Sequence, residues 1–124
     1  MRYWAFLLLF ALSACTSMGA PESTSSDRFF NSFSRYCGQS FSGKLVAGDA
    51  SDTAFANADM RANFSVCDAT KIEIKFDVGE DRSRTWVITK TPTGLRLKHR
   101  HMLKDGTEDP VSQYGGDTVD SGSE

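Results

Sequence analysis

Histidine, cysteine and long apolar runs are scarce in this sequence of 124 residues. Its longest apolar stretch covers residues 3–12, whereas a membrane-spanning helix needs about 20 apolar residues. The formal net charge of -2 is too small to indicate a charged partner. There is no Gly-x-Ser-x-Gly nucleophile elbow, and the glycine pair at 115–116 is too short for a phosphate-binding loop. We therefore expect a protein that is not an enzyme and needs no cofactor.

The N-terminus is organised like a secretory signal. Arg2 supplies a positive charge, residues 3–12 form a short apolar region, and small residues precede Cys15. The run Leu-Ser-Ala-Cys at residues 12–15 resembles the lipobox of bacterial lipoproteins. This resemblance implies that the Cys15 thiol is diacylglycerated, that the chain is cut before it, and that the new N-terminus is acylated. A cut by ordinary signal peptidase, with Cys15 incidental, is the alternative.

Lipidation would decide where the protein resides. One acyl chain binds a membrane marginally, whereas two or more anchor a protein stably. We therefore predict a cell-envelope protein whose first partner is the membrane, reached through acylated Cys15. The resemblance favours the periplasm-facing side of the outer membrane, because Thr16 replaces the aspartate that retains such proteins in the inner membrane. The inner membrane remains an alternative, and nucleic acid is not an expected partner of an exported protein.

The composition divides the chain into four segments. We predict a signal peptide at residues 1–14, a lipidated polar tether at 15–26, a β domain at 27–118 and a polar tail at 119–124. The tail is either a true terminus or the end of a shortened chain.

Two further cysteines, Cys37 and Cys67, lie in the predicted domain. An exported chain passes through an oxidising compartment, and two cysteines allow one pairing. We therefore predict a Cys37–Cys67 disulfide; the alternative is one buried free thiol and one reactive thiol.

Residues 27–37 have the spacing of a short amphipathic helix that packs against a sheet. Ser26 or Asp27 can cap its start, and Gly38 can end it. One apolar stripe is expected to pack in the core: Phe29, Phe30, Phe33, Tyr36 and Cys37.

The rest of the chain has the alternation of short strands, with a loop expected at residues 48–59. The predicted strands cover residues 41–45, 60–67, 71–77, 86–89, 95–103 and 111–114. On the second of these strands, Met60, Ala62, Phe64 and Val66 are expected to share one face. We predict a mainly β fold: a short N-terminal helix plus an antiparallel meander, closed into a small barrel or partly open.

Such a helix and meander are similar in architecture to small calycin-type barrels, which hold ligands in an apolar cup. They also resemble the sandwich-like lysozyme-inhibitor lipoproteins of the periplasm. The stretches at residues 37–43, 81–86 and 114–118 resemble those of an uncharacterised group of proteobacterial secreted proteins. That last resemblance implies no known activity, and fold alone does not fix function.

His99 and His101, the only histidines, are two residues apart on a predicted strand and share a face with Leu95 and Leu97. If that face is internal, the imidazoles could meet the polar end of a ligand. A zinc site is not expected, because it needs three or four ligands. The further ligands would have to come from the following turn: Asp105, Glu108 and Asp109.

The opposite face of this strand is basic, with Arg96, Lys98 and Arg100. Further cations are expected to lie in reach: Arg82, Arg84, Lys90 and Lys104. An ordinary solvated face is one interpretation. Contact with lipopolysaccharide phosphates or peptidoglycan carboxylates is the other.

The sequence thus favours a non-catalytic binding or inhibitory module for a small apolar ligand or an envelope protein partner. The alternative is a structural envelope protein that contacts peptidoglycan or lipopolysaccharide, a cell-wall polymer or glycolipid, through its basic strand. A hydrolase that uses His99 or His101 as its base is less favoured.

Overall fold

A computed structural model gives the structure of this protein over residues 22–49 and 51–123. The predicted signal peptide, the lipobox and Cys15 lie outside the described residues, as does most of the predicted tether. Within the described residues, no helix is both long and apolar enough to cross a membrane.

Six antiparallel strands form one sheet in which each strand pairs with its neighbour in the sequence. The strands are β1 Ser40–Gly43, β2 Met60–Cys67, β3 Lys71–Val78, β4 Asp81–Lys90, β5 Leu95–His101 and β6 Tyr114–Asp117. The predicted mainly β meander is therefore confirmed. In the described part of the chain β1 and β6 do not pair with each other, so the sheet is open rather than a closed barrel.

The helix α1, Ser25–Ser34, begins two residues earlier and ends three residues earlier than the predicted 27–37. Its N-cap is Thr24, and the prediction of Ser26 or Asp27 is wrong. The Thr24 hydroxyl accepts a hydrogen bond from the Asp27 N–H at 3.1 Å, while the Asp27 carboxylate accepts one from the Thr24 N–H at 3.3 Å. This reciprocal capping box satisfies two N–H groups that the helix itself leaves free.

The chain after β6 returns to the start of α1. The Ser121 carbonyl accepts hydrogen bonds from the Ser26 N–H at 2.9 Å and from the Ser26 hydroxyl at 2.8 Å. The segment after β6 therefore packs against the helix rather than along the edge of the sheet.

Two local predictions are corrected by the structure. The expected loop at 48–59 contains a one-turn helix, α2, Thr53–Ala56. The last strand does not lie at 111–114, because the left-handed backbone of Gln113, with a φ of 57°, interrupts the extended conformation. The strand begins only at Tyr114, where regular pairing with His99 starts.

The core lies between α1 and one face of the sheet. The strict alternation of β3 places Ile72 and Ile74 on this face, where they are 0% and 2% exposed. Phe30 of α1 is 2% exposed above them. The buried cluster consists of Phe30, Phe64, Ile72, Ile74 and Ile88.

A register shift in β2 between Phe64 and Val66 changes which side chains face the core. Val66 is 39% exposed and does not share the face of Phe64 as expected. Cys67 pairs with Ile72 instead and packs against the buried cluster. Its disulfide with Cys37, Cα to Cα 6.0 Å, is the pairing that the sequence predicts. The bulge thus turns Cys67 toward the segment that follows α1.

Candidate functional site

An apolar groove of about 490 Å³ lies beside α1, over the part of the sheet that the helix leaves uncovered. The helix covers β3 and the adjoining part of β4, and β5 and β6 extend beyond it. Two of the apolar side chains that line the groove remain open to solvent: Phe29 is 49% exposed and Leu97 is 39% exposed.

Aromatic and aliphatic side chains form most of the groove. On the helix, the rings of Phe29 and Phe33 stack with centroids 4.7 Å apart. On the sheet, Trp86 and Leu97 come from adjacent strands, and Gly116 of β6 adds no side chain. The complete lining is Phe29, Phe33, Ile74, Trp86, Ile88, Leu95, Arg96, Leu97, Gly116, Asp117 and Thr118.

An ion pair joins β5 to β6 on the face of the sheet opposite the groove. The Arg96 guanidinium donates from Nε and from one terminal nitrogen to the two Asp117 oxygens, each at 2.7 Å. These hydrogen bonds hold the pKa of Asp117 below its ordinary value, so the pair is ionised at neutral pH. This charged pair therefore lies outside the groove, whose lining is predominantly apolar.

The two histidines lie on the face predicted for them. His99 is paired with Trp86 and His101 with Arg84, on the side of the sheet that carries Leu97. The His99 ring stacks on Tyr114, with centroids 4.6 Å apart and planes 17° apart. Neither histidine lines the groove. They extend a row of rings from Trp86 toward the far end of the same face.

Partial burial lowers the pKa of His99, and the charge of the neighbouring His101 lowers it further. His99 is therefore mainly neutral at neutral pH. The His101 Nε2 lies 3.4 Å from the Tyr114 hydroxyl, which gives the imidazole a polar neighbour.

The side chains considered as further metal ligands are directed to their own loop. The Asp105 carboxylate accepts from the Thr107 N–H and hydroxyl, at 2.9 and 2.7 Å. Glu108 accepts from Ser112 at 2.7 Å and Asp109 from the Val111 N–H at 2.7 Å. Over residues 22–49 and 51–123, no group of three or more His, Cys, Asp or Glu side chains is arranged to hold a metal ion.

The basic face of β5 is largely neutralised. Arg100 donates to Glu73 at 2.9 Å and Lys71 contacts the same carboxylate at 3.0 Å. The hydrogen bond from Arg100 is the main cause of a lowered pKa at Glu73. With Arg96 held by Asp117, Lys98 alone of the three β5 cations has no ion-pair partner among the described residues.

Two cations expected beside this face lie on the other side of the sheet. Lys90 contacts Asp27 of α1 at 2.8 Å, and its ammonium stands 4.9 Å from the centre of the Phe30 ring. The Arg84 guanidinium lies 5.3 Å from the centre of the Phe55 ring. On the outer face Arg82 is 3.4 Å from Asp77. The cations therefore do not form one continuous anion-binding surface.

A second, polar depression of about 820 Å³ lies near the β1 edge. Its charges partly pair with each other, as Arg82 does with Asp77 and Lys44 with Asp59 at 3.9 Å. The depression therefore does not suit an apolar ligand.

The groove could not be expected from a prediction that assigns the whole aromatic stripe at residues 29–37 to the core. That holds for Phe30, which is buried, but not for Phe29 and Tyr36, which are 49% and 44% exposed. The available signal was an excess of rings: a ten-residue helix cannot bury aromatic side chains on adjacent sides against one flat sheet.

Comparison of the chain with models of protein families, with curated proteins and with solved structures gave no match.

Proposed function

We propose that this protein is an envelope lipoprotein, anchored through acylated Cys15, whose folded domain binds a small apolar ligand without catalysing a reaction. The observation that carries the binding proposal is the groove between α1 and β4–β6, with its exposed aromatic and aliphatic walls.

The size and chemistry of the groove support this proposal. Ligand sites in proteins typically measure about 300–1,000 Å³ and are mostly apolar with a few polar groups at defined positions. The groove has a volume of about 490 Å³ and a predominantly apolar lining. A ligand would bury the exposed faces of Phe29 and Leu97, which favours binding through the hydrophobic effect.

The contacts that hold the helical wall of the groove on the sheet also support the binding proposal. The Cys37–Cys67 disulfide fixes the end of the helical segment to β2, and the Lys90–Asp27 ion pair fixes its start to β4. A wall that is held at both ends loses little conformational freedom when a ligand binds.

The short separation in sequence between Cys15 and α1, which forms one wall of the groove, supports the anchor proposal. Nine residues lie between Cys15 and Ser25, where α1 begins, which makes ten residue steps along the chain. A segment of that length spans at most about 35 Å when fully extended. A domain tethered in this way would remain close to lipid, a source of apolar ligands.

The binding proposal is tested with the neutral apolar dye N-phenyl-1-naphthylamine, titrated into the purified full chain. Trp86 lines the groove, so bound dye should receive excitation energy from it. The variant Leu97→Gln places an amide in the groove wall and should weaken binding by about tenfold, since an unpaired amide in an apolar site costs on the order of 1–3 kcal/mol.

Leu103→Gln is the matched control, because Leu103 is similarly exposed at 43% and does not line the groove. We expect this control to bind the dye as the wild type does. Equal affinity of all three proteins, or weaker binding by the control alone, would show that the groove is not the site.

A further inference from the structure

We propose that two copies of this protein associate through β6, by antiparallel pairing of the strand with itself around a two-fold axis. The inference is independent of the ligand proposal, because it rests on the edge of the sheet and not on the groove.

The β6 edge has free pairing capacity. In antiparallel pairs, successive residues alternate between backbone groups that face the neighbouring strand and groups that face away. The Thr118 N–H donates to the Leu95 carbonyl at 2.8 Å, which sets this alternation for β6. With Thr118 facing β5, the backbone groups of Gly115 and Asp117 point away from β5. No other strand within residues 22–49 and 51–123 pairs with this edge.

The edge also has few side chains to obstruct a partner. Gly115 and Gly116 form the middle of β6. Gly115 has a φ of 143° and a Cβ there would lie 2.0 Å from the Leu97 carbonyl oxygen, so this position requires glycine. Natural proteins usually protect an edge strand with charge, proline or a covering segment. Here the chain that follows β6 leaves the edge and returns to α1.

One register satisfies both outward-facing residues in each copy. If Gly116 lies opposite Gly116 of the second copy, then Gly115 of each chain faces Asp117 of the other. Both residues in these two pairs have outward backbone groups, and each such pair exchanges two hydrogen bonds. The two glycines on the axis allow the backbones to approach without a clash.

This register also supplies a partner for the unpaired cation on β5. Lys98 lies opposite Gly115 within one chain, and Arg96 lies opposite Asp117. In the paired sheets, three residues therefore lie side by side on successive strands and on the same face: Lys98, Gly115 and Asp117 of the second copy. Neighbouring strands are about 4.8 Å apart, and Gly115 has no side chain, so Lys98 can extend over it toward that carboxylate. Each Asp117, which already interacts with Arg96 and Lys98 of its own chain, would then gain Lys98 of the second copy as a further cation.

The direct test is disulfide cross-linking of Gly116→Cys in the full chain, purified in mild detergent. Residues opposite each other in a non-hydrogen-bonded pair have Cα atoms about 4.5 Å apart, which a disulfide can bridge. A Cβ at Gly116 meets nothing within 4 Å, so the variant should fold. Under mild oxidation we expect a disulfide dimer with twice the mass of the single chain.

Gly43→Cys is the matched control, because Gly43 ends the other edge strand and its Cβ would also meet nothing within 4 Å. On oxidation, this variant and the parental chain, which retains Cys15, should form no disulfide-linked dimer that survives denaturation. A folded Gly116→Cys protein that forms no disulfide-linked dimer overturns the proposal. Mixed cross-links between Gly116→Cys and Gly43→Cys chains overturn the two-fold arrangement, since they report head-to-tail pairing.

Charge reversal tests the register without an added cysteine. Lys98→Glu would face Asp117 of the second copy with a like charge and should weaken dimerisation by about five- to tenfold in sedimentation velocity. Lys75→Glu is the control, because Lys75 is an exposed lysine of β3 away from the edge. Equal dissociation constants for the two variants would overturn the proposed register, and a wild type that is monomeric at every concentration would overturn the dimer.

Discussion

Asp27 links three parts of the structure through a single carboxylate. It closes the capping box with Thr24 at the start of α1 and contacts Lys90 of β4 at 2.8 Å. The hydrogen bond from Lys90, followed by those from Thr24, lowers the pKa of Asp27 to about 2. A side chain two residues before Phe29 therefore helps to hold the helical wall of the groove on the sheet.

Asp27→Asn should lower the melting temperature at neutral pH. The folded pKa of about 2 lies below the ordinary aspartate pKa of 3.8, so the ionised carboxylate stabilises the folded state above about pH 4 and loses this effect as pH falls through 2. The melting-temperature difference between wild type and Asp27→Asn should therefore shrink between pH 4 and pH 2. Melting curves recorded by circular dichroism measure it.

Asp52→Asn serves as the control for this prediction, because the Asp52 side chain makes no cap hydrogen bond at α2. Its melting temperature should follow that of the wild type over the whole range. A difference for Asp27→Asn that is as large at pH 2 as at pH 7 would contradict the assigned role of the carboxylate.

Among the elements, β2 shows how a local irregularity serves the global structure. Simple alternation places Val66 inward and Cys67 outward, which would direct the thiol away from Cys37. The register shift after Phe64 reverses this order, so that Cys67 packs on the core and bonds to Cys37. The sequence predicts the pairing of the two cysteines but not the bulge, because a bulge depends on how β3 pairs with β2.

The double variant Cys37→Ser, Cys67→Ser should unfold more easily than the wild type by about 3–4 kcal/mol, the chain-entropy value for a loop of this length. The cysteines are 30 residues apart in the sequence. Urea unfolding of both proteins under oxidising conditions measures the difference. The same urea midpoint for the two proteins would show that the bond contributes nothing to stability, and loss of dye binding without loss of fold would indicate that it positions the groove.

Other elements show where prediction from sequence stops. β3 was located correctly because its alternation is uninterrupted. The start of β5 was correct because Leu95 and Leu97 mark its inner face, but the strand ends at residue 101 and not at 103. The start of β4 was predicted five residues too late, because its first half is polar. The last strand was misplaced by three residues at its start, because the left-handed backbone of Gln113 cannot be recognised in a glutamine. The short helix α2 lies in a segment whose small polar residues have no periodicity.

At the level of the whole molecule, the order of the strands could be predicted from the sequence, but the groove could not. Short connections between alternating segments predict a meander, which the structure confirms. The groove arises because a helix of 10 residues covers only part of a six-stranded sheet. That relation between helix and sheet depends on packing geometry, which a pattern of apolar residues along the chain does not contain.

The histidines illustrate the same limit. The spacing of His99 and His101 predicts that they share a strand face with Leu97. The structure places all three side chains on the face that α1 covers in part. Their neighbours could not be predicted in this way. His99 stacks on Tyr114, which belongs to a strand whose position was predicted wrongly, and contacts Trp86 at a tilted angle.

The central claim, an anchored domain that carries a small apolar ligand in its groove, is tested most directly by native mass spectrometry of the intact protein from its own host membranes. We predict an N-terminal Cys15 that carries acyl chains and a non-covalent adduct of low mass that is lost in Leu97→Gln and kept in Leu103→Gln. A wild-type protein that carries no adduct, or an adduct that persists in Leu97→Gln, would contradict the account.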